Sequence, residues 1–153
     1  MAYYTYEELE KMDFKNIGDN VKISDKASIY NCDQIEIGDH SRIDDFCVIS
    51  GKIKIGRNVH ITPNCLVAGG EKGIVFEDFT TIAYGTQVFT QSDDYSIMPG
   101  VVLEEGTSVG AMSLVLKSTQ PWWIYVGNPA KRLKNRKKDL LALEKQYLQS
   151  EKK

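Results

Sequence analysis

The chain has 153 residues, with 19 Lys and Arg against 21 Asp and Glu and a formal net charge of −2. That length suits one domain, residues 1–153, and the slight negative balance gives no global attraction to nucleic acid. No apolar run approaches the length of a membrane span, and residues 1–12 are too polar and acidic for a signal peptide, so the expected setting is cytoplasmic, without membrane insertion.

Residues 1–14 read as a helical cap. Thr5-Tyr6-Glu7-Glu8 is a capping-box pattern, in which the Thr5 hydroxyl and the Glu8 carboxylate satisfy free amides at a helix start. Leu9 and Met12 then face the end of the next segment and cover its open edge.

Residues 15–120 carry a different period. Ile37, Ile43 and Ile49 are six apart, as are Ile55, Ile61 and Val67, and the two sets are eighteen apart. A helix needs a period near 3.6 and a flat strand a period of 2. Six within eighteen describes a short strand and a corner, three times per turn of a coil, which is a parallel β-solenoid. Ile17, Ile23 and Ile29 fit the pattern, and two extra residues then precede Ile37. An insertion near Glu71, Lys72 and Gly73 precedes Phe76, Ile82 and Val88. A second interruption, Asp93 to Ser96, precedes Ile97, Leu103, Val109 and Val115. Such insertions map to corners, where solenoids often carry function.

In each hexad the aliphatic residue points inward. A compact residue four places on turns the corner: Ser41, Cys47, Val59, Cys65, Thr86, Thr107, Ser113. Cys47 and Cys65, eighteen apart, are expected side by side at one corner. With Cys32 they form no C-x-x-C pair and are expected to be free thiols. A prism of about five coils has a narrow core, which favours self-association.

Residues 121–153 read as a tail and a C-terminal helix, helical from Ala130 onward. Leu133, Leu140, Leu141, Leu143, Tyr147 and Leu148 form its apolar stripe, expected to pack on this solenoid or a neighbour's. The basic run from Lys131-Arg132 to Lys137-Lys138 reads as a solvated face, without the aromatic interleaving of a strand-binding platform. At least one of Trp122 and Trp123 is expected to pack.

The hexad, an aliphatic residue followed by Gly, Ala, Glu or Asp and then by a small residue three places further on, resembles the hexapeptide repeat of the left-handed β-helix acyltransferases. The resemblance implies an all-β solenoid, a left-handed parallel β-helix, against the usual right-handed crossover of parallel strands. The run from Val109-Gly110-Ala111 through Pro121-Trp122-Trp123 to Gly127-Asn128-Pro129-Ala130-Lys131-Arg132 resembles the tail of the hexapeptide-repeat acetyltransferases, and more narrowly of the sugar O-acetyltransferase branch. It implies acetyl-CoA as donor and a sugar hydroxyl, or less readily a sugar amine, of a saccharide or nucleotide-sugar as acceptor. It also implies a homotrimer with the donor between subunits. Gly110 and Ala111 would let the pantetheine arm approach the backbone. Lys117, Lys131 and Arg132 would meet phosphates, while Asn128 and Pro129 would shape a slot for adenine. Alternatively, Gly127 to Pro129 simply ends the solenoid.

Acyl transfer needs a base for the acceptor's proton and donors for the oxyanion. The chain has two His, at different hexad positions, too few for a three-His zinc site, so no metal is expected. His60 precedes inward Ile61 and should stand on the solenoid wall as the base; its alternative is an ordinary exposed His. His40 falls at a corner. In the segment from Thr90 to Ser96, Asp93 or Asp94 would orient His60 or act as base, and Ser92 and Tyr95 would bind sugar hydroxyls; the alternative is a polar corner. Relatives commonly insert a long excursion and a further coil here, whereas Ser96 passes directly to Ile97-Met98-Pro99-Gly100-Val101. This leaves open a member that assembles, and binds CoA, without transfer.

Overall fold

The computed structural model describes residues 2–90 and 100–151. The hexads fold as a stack of coils with three short strands each. The first coil contributes β1 (Asn16–Ile17), β2 (Lys22–Ile23) and β3 (Ser28–Ile29). The second contributes β4 (Ile35–Ile37), β5 (Arg42–Ile43) and β6 (Val48–Ser50), and the third β7 (Ile53–Ile55), β8 (His60–Ile61) and β9 (Leu66–Ala68). The fourth has β10 (Ile74–Phe76), β11 (Thr81–Ile82) and β12 (Gln87–Phe89), and the fifth β13 (Val101–Leu103), β14 (Ser108–Val109) and β15 (Leu114–Val115). Two further strands complete the set, β16 (Trp123–Val126) and β17 (Lys131–Asn135). Like strands pair in parallel from coil to coil. The first face is β1-β4-β7-β10-β13, the second β2-β5-β8-β11-β14-β16, and the third β3-β6-β9-β12-β15. The all-β solenoid expected from the repeat is thus present. The two extra residues before Ile37 fall in a short 3₁₀ turn, Cys32–Gln34, and the Glu71 insertion joins β9 to β10.

The eighteen-residue spacing becomes register. Ile37 lies beside Ile55, Ile43 beside Ile61 and Ile49 beside Val67. These inward residues, with Phe76, Ile82, Val88, Leu103, Val109 and Val115, are buried along the axis. Each buried side chain of this kind contributes about 1.5–3 kcal/mol. The compact positions are buried too, and their chemistry explains the choice of Ser, Thr and Cys. A corner leaves carbonyls without a ladder partner, and a buried polar group needs one. Ser41 Oγ donates to the Gly56 carbonyl at 2.7 Å and accepts from Val59 N at 3.0 Å. Thr86 Oγ1 donates to the Ala83 carbonyl at 2.6 Å, and Cys47 Sγ to the Thr62 carbonyl at 3.1 Å. The neighbouring Cys65 sulfur, together with burial, pushes the Cys47 thiol far up, so it stays protonated.

Corners turn at left-handed residues. The edge between the first and second faces runs Asn20, His40, Asn58, Phe79, Gly106, Trp122, all at φ between 54° and 67°. The second edge, between the second and third faces, runs Phe46, Asn64, Gly85, Met112. Asn tolerates this conformation, whereas a bulky residue is strained by about 1–2 kcal/mol. Phe79 and Trp122 are held by packing on each other across Gly106, with ring centroids 6.3 Å apart. A Cβ on Gly106 would lie 2.4 Å from Trp122 Cδ2, so only glycine fits between them. Trp122 is therefore the tryptophan that packs.

Helix α1 (Tyr6–Lys11) closes the first coil. Thr5 N donates to Glu8 Oε2 at 2.7 Å and Glu8 N to Thr5 Oγ1 at 3.3 Å, completing the capping box, and Leu9 is buried on the core.

The C-terminal segment corrects the sequence reading. Residues 131–135 are not helical: β17 pairs antiparallel with β16 and forms the last strand of the second face, and α2 (Asp139–Glu151) starts only at Asp139. Gly127, at φ +102°, reverses the chain. The open edge of the final coil is thereby covered by a short strand rich in Lys and Arg, a common way to blunt an exposed edge. The β-helix also reaches past 120, since β16 continues the second face.

Helix α2 then runs back along the first edge. Arg136 N donates to the Trp122 carbonyl at 2.8 Å. Its guanidinium donates to the carbonyls of Phe79, Gly106 and Thr107 at 2.8, 3.1 and 3.3 Å. Further along, Glu144 accepts from Arg57 Nη1 and from Asn58 Nδ2, and the Tyr147 ring meets His40 edge-on at 6.1 Å. Coils are spaced by about 4.8 Å and a helix rises about 1.5 Å per residue, so one coil matches roughly three helical residues. Glu144 at Asn58 and Tyr147 at His40 obey that correspondence. The helix lies along this chain's own solenoid, where Leu140, Leu143, Tyr147 and Leu148 border a cavity with Phe79 and Thr81, but Leu143, Tyr147 and Leu148 stay exposed; Leu133 belongs to β17 and is exposed too.

Candidate functional site

Outward side chains of the second face stand in a column, Lys22, Arg42, His60, Thr81, Ser108, by strand register. His60 is on the wall, as expected from its place before Ile61. Two residues from Arg42 in sequence, Asp44 is 2% exposed and turns towards the same column. His60 Nε2 lies 2.7 Å from Asp44 Oδ2 and 2.6 Å from Arg42 Nη2, and Arg42 Nε lies 3.0 Å from Asp44 Oδ1. One ring nitrogen thus faces both an acceptor and a donor. Protonated, it donates to Asp44; unprotonated, it accepts from Arg42. Either way the ring is fixed, and among the described residues no hydrogen bond reaches Nδ1.

The sequence reading assigned neither Arg42 nor Asp44 to the site; Asp44 stood only as the acidic residue after Ile43 in its hexad. The signal for Arg42 was available, because it precedes His60 by eighteen and the repeat makes such residues neighbours. Beside this trio opens a pocket of about 470 Å³, bordered by the first edge and by Tyr147. His40 lines it as well as His60, so the two His approach one cavity although they occupy different hexad positions. Among the described residues no group of three or more His, Cys, Asp and Glu side chains is placed to hold a metal.

A second cavity, of about 480 Å³, lies at the C-terminal end of the prism. Of the seven residues expected at a CoA site, Lys117, Pro129, Lys131 and Arg132 line it, with Val115, Leu116 and Tyr125 giving it an apolar wall. Arg132 stacks on Trp123, its guanidinium carbon 4.1 Å from the ring centre, and donates to Gln120 Oε1 at 2.7 Å. Gly110, Ala111 and Asn128 are not in the lining. A Cβ on Gly110 would meet Val126 Cγ1 at 2.7 Å, so its bareness serves packing between the last coils. Ala111 and Asn128 are exposed at turns.

Ser92, Asp93, Asp94, Tyr95 and Ile97 lie outside the described residues. Lys117 comes after β15 of the third face, so within one copy it does not share a wall with His60 of the second face.

A model of the bacterial transferase hexapeptide family (six repeats) matches residues 34–69. Over nearly its whole length the chain is similar to the dTDP-4-amino-4,6-dideoxy-D-glucose acyltransferase of Escherichia coli, with 34% identity over 181 aligned positions that cover 94% of this chain and 94% of the relative. Those positions outnumber the 153 residues here, so the relative carries internal segments that this chain lacks. The structure is similar to that of AntD, an N-acyltransferase from Bacillus cereus crystallised with dTDP and 3-hydroxybutyryl-CoA, at a TM-score of 0.80 and 39% identity, covering 99% of this chain and 98% of AntD. The hexapeptide-repeat acetyltransferase VCA0836 of Vibrio cholerae, in complex with acetyl-CoA, shares the fold at a TM-score of 0.74 and 23% identity over 84% of this chain and 75% of that one. The chain belongs to the hexapeptide-repeat transferase family and is an acyltransferase of that family.

Proposed function

We propose that the protein transfers an acyl group from an acyl-CoA, acetyl-CoA first among them, to the amino group of a nucleotide-linked amino sugar. The observation that carries this reading is the full-length likeness, at 34% and 39% identity, to an amino-sugar acyltransferase and an N-acyltransferase. The amine lone pair attacks the thioester carbonyl, CoA leaves as its thiolate, and the amine's proton passes to a base. His60, through Nδ1, is our candidate for that base, with Asp93 or Asp94 as the carboxylate that assists it. Lys117, Lys131 and Arg132 are the candidates for the CoA phosphates.

The faces of the prism support a site shared between copies of a homotrimer. The second edge and the third face beside it carry exposed apolar side chains: Phe46 at 59%, Tyr84 at 61%, Met112 at 74% and Val48 at 38% exposure. Exposed apolar groups in such a row mark an interaction surface. Three prisms meeting along this edge form a closed ring. Each copy's second face, with His60, then faces its neighbour's third face, which Lys117 follows. A homotrimer of this kind turns His60 of one copy towards the face of its neighbour that carries Lys117, two groups on different walls of a single copy.

A second reading, transfer to a sugar hydroxyl, is favoured by the His60–Asp44 pair. A hydroxyl needs a stronger base than an amine does, and an imidazole oriented by a buried carboxylate is one. Free-thiol release separates the two. Acetyl-CoA and 3-hydroxybutyryl-CoA are each offered with dTDP-4-amino-4,6-dideoxyglucose and with its 4-hydroxy counterpart. Release with the amine alone supports the proposal; release with the hydroxy sugar alone replaces it by the second reading. Among the described residues no helix is long and apolar enough to cross a membrane.

A further inference from the structure

The pocket on the second face has a composition that the transfer chemistry does not explain. Three successive coils place a hydrogen-bond donor at the first edge and a second donor two residues later on the second face: Asn20 and Lys22, His40 and Arg42, Asn58 and His60. In the next two coils the pairs are Phe79 with Thr81 and Gly106 with Ser108, and the pattern stops. The left-handed corner accounts for Asn20 and Asn58, since Asn is at ease there. Nothing in the backbone asks for Lys22, Arg42 and His60 on the outward column.

Among the described residues the lining contains no carboxylate, although the chain as a whole is acidic. Asp44 lies behind the column, 2% exposed and turned to Arg42 and His60, so it braces these side chains rather than meeting a ligand. Arg42 uses Nε and Nη2 for that contact, and Nη1 has no partner among the described residues. Lys22 has no ion-pair partner among them either. Lys22, Arg42, the His40 imidazole and the Asn20 amide around a cavity of about 470 Å³ are a receptor for oxyanions, while the Asn58 amide already donates to Glu144 and His60 Nε2 is engaged by Asp44 and Arg42. Three coils span roughly 10 Å, room for a diphosphate and the groups on either side of it.

We propose that this pocket is an oxyanion site that takes the diphosphate of the nucleotide-linked acceptor, with Lys22 and Arg42 as the charged contacts. The assignment rests on the acceptor class proposed above. It gives the second face two roles: its first coils hold the anionic end of the acceptor, and His60, at the limit of the donor array, stands nearest to the sugar.

Calorimetric titration of the intact protein with dTDP, inorganic pyrophosphate and CoA tests this in wild type, Lys22→Met, Lys22→Glu and Lys22→Arg. Loss of a charge-assisted contact should weaken dTDP and pyrophosphate by about tenfold or more in Lys22→Met and further in Lys22→Glu, with Lys22→Arg near wild type. CoA affinity should be unchanged throughout, which separates this site from the phosphates of the donor. Equal dTDP affinity in wild type and Lys22→Glu overturns the assignment, as does a parallel loss of CoA binding or wild-type protein that binds neither dTDP nor pyrophosphate. If Lys22→Glu keeps dTDP affinity while amino-sugar acylation persists, the site falls and the proposed reaction stands. If wild type acylates no nucleotide-linked amino sugar yet binds pyrophosphate in a Lys22-dependent way, the reaction falls and the oxyanion site stands.

Discussion

Asp44 presents Oδ2 2.7 Å from Nε2 of His60 on the adjacent coil, and the carboxylate that does so is almost wholly buried. A group in that place holds the ring without touching the acceptor. Asp44→Asn keeps the shape but removes the charge, so the amide can present its NH₂ to the ring and the side chain no longer balances Arg42. Turnover should fall by about tenfold to a hundredfold while KM for the acyl-CoA stays level. His60→Ala should lower turnover at least as much. Unchanged turnover in His60→Ala removes it from the mechanism, and a rise in KM alone assigns the trio to binding.

The second edge gives a test of assembly. Met112 and Phe46 are left-handed corner residues with outward apolar side chains, and Asp tolerates that backbone. Phe46→Asp combined with Met112→Asp should yield a folded monomer by sedimentation and circular dichroism, with acyl transfer lost. A trimer that persists with full activity would place the seam elsewhere.

Arg136 is the pin of the C-terminal helix. Burial lowers its pKa from the usual guanidinium range, and it contacts three carbonyls from two adjacent coils. Arg136→Met should leave the solenoid core intact and release α2, at about 1–3 kcal/mol in stability. Amide exchange in residues 139–150 should accelerate while exchange in β5 and β8 does not. Uniform acceleration would mean that α2 and the coils unfold as one unit.

The N-terminal cap should be acid-sensitive. The hydrogen bond from Thr5 N, and then that from the Thr5 hydroxyl, hold the Glu8 carboxyl below its ordinary value of 4.5. A folded-state pKa below the unfolded one contributes stability above the unfolded value, and that contribution is lost as pH falls through the folded value. Helix α1 should therefore fray below about pH 4.5, before the coils respond, and Glu8→Gln should abolish the dependence. Site-resolved NMR titration would show it, and a normal Glu8 titration would refute it.

The coils were legible because their contacts are between residues eighteen apart, a spacing that appears directly as aliphatic period. The same arithmetic carried Cys47 beside Cys65 and would have carried Arg42 beside His60. The tail was misread for the opposite reason. Lys131 to Asn135 has helix-forming composition, and its strand state comes from the unsatisfied edge of β16, a partner that local propensity does not reveal. Gly110 was assigned to the donor through resemblance, and it is Val126 that occupies the space. Lys117, Pro129, Lys131 and Arg132 do converge, because the reversal at Gly127 returns the chain beneath the last coil.

The match between coil spacing and helical rise along the first edge makes the molecule modular in length. Removing one coil shortens the stack by about 4.8 Å, and dropping a single turn of α2 compensates to within an ångström. Evolution can therefore add or subtract whole layers here without redesigning the strut that braces them.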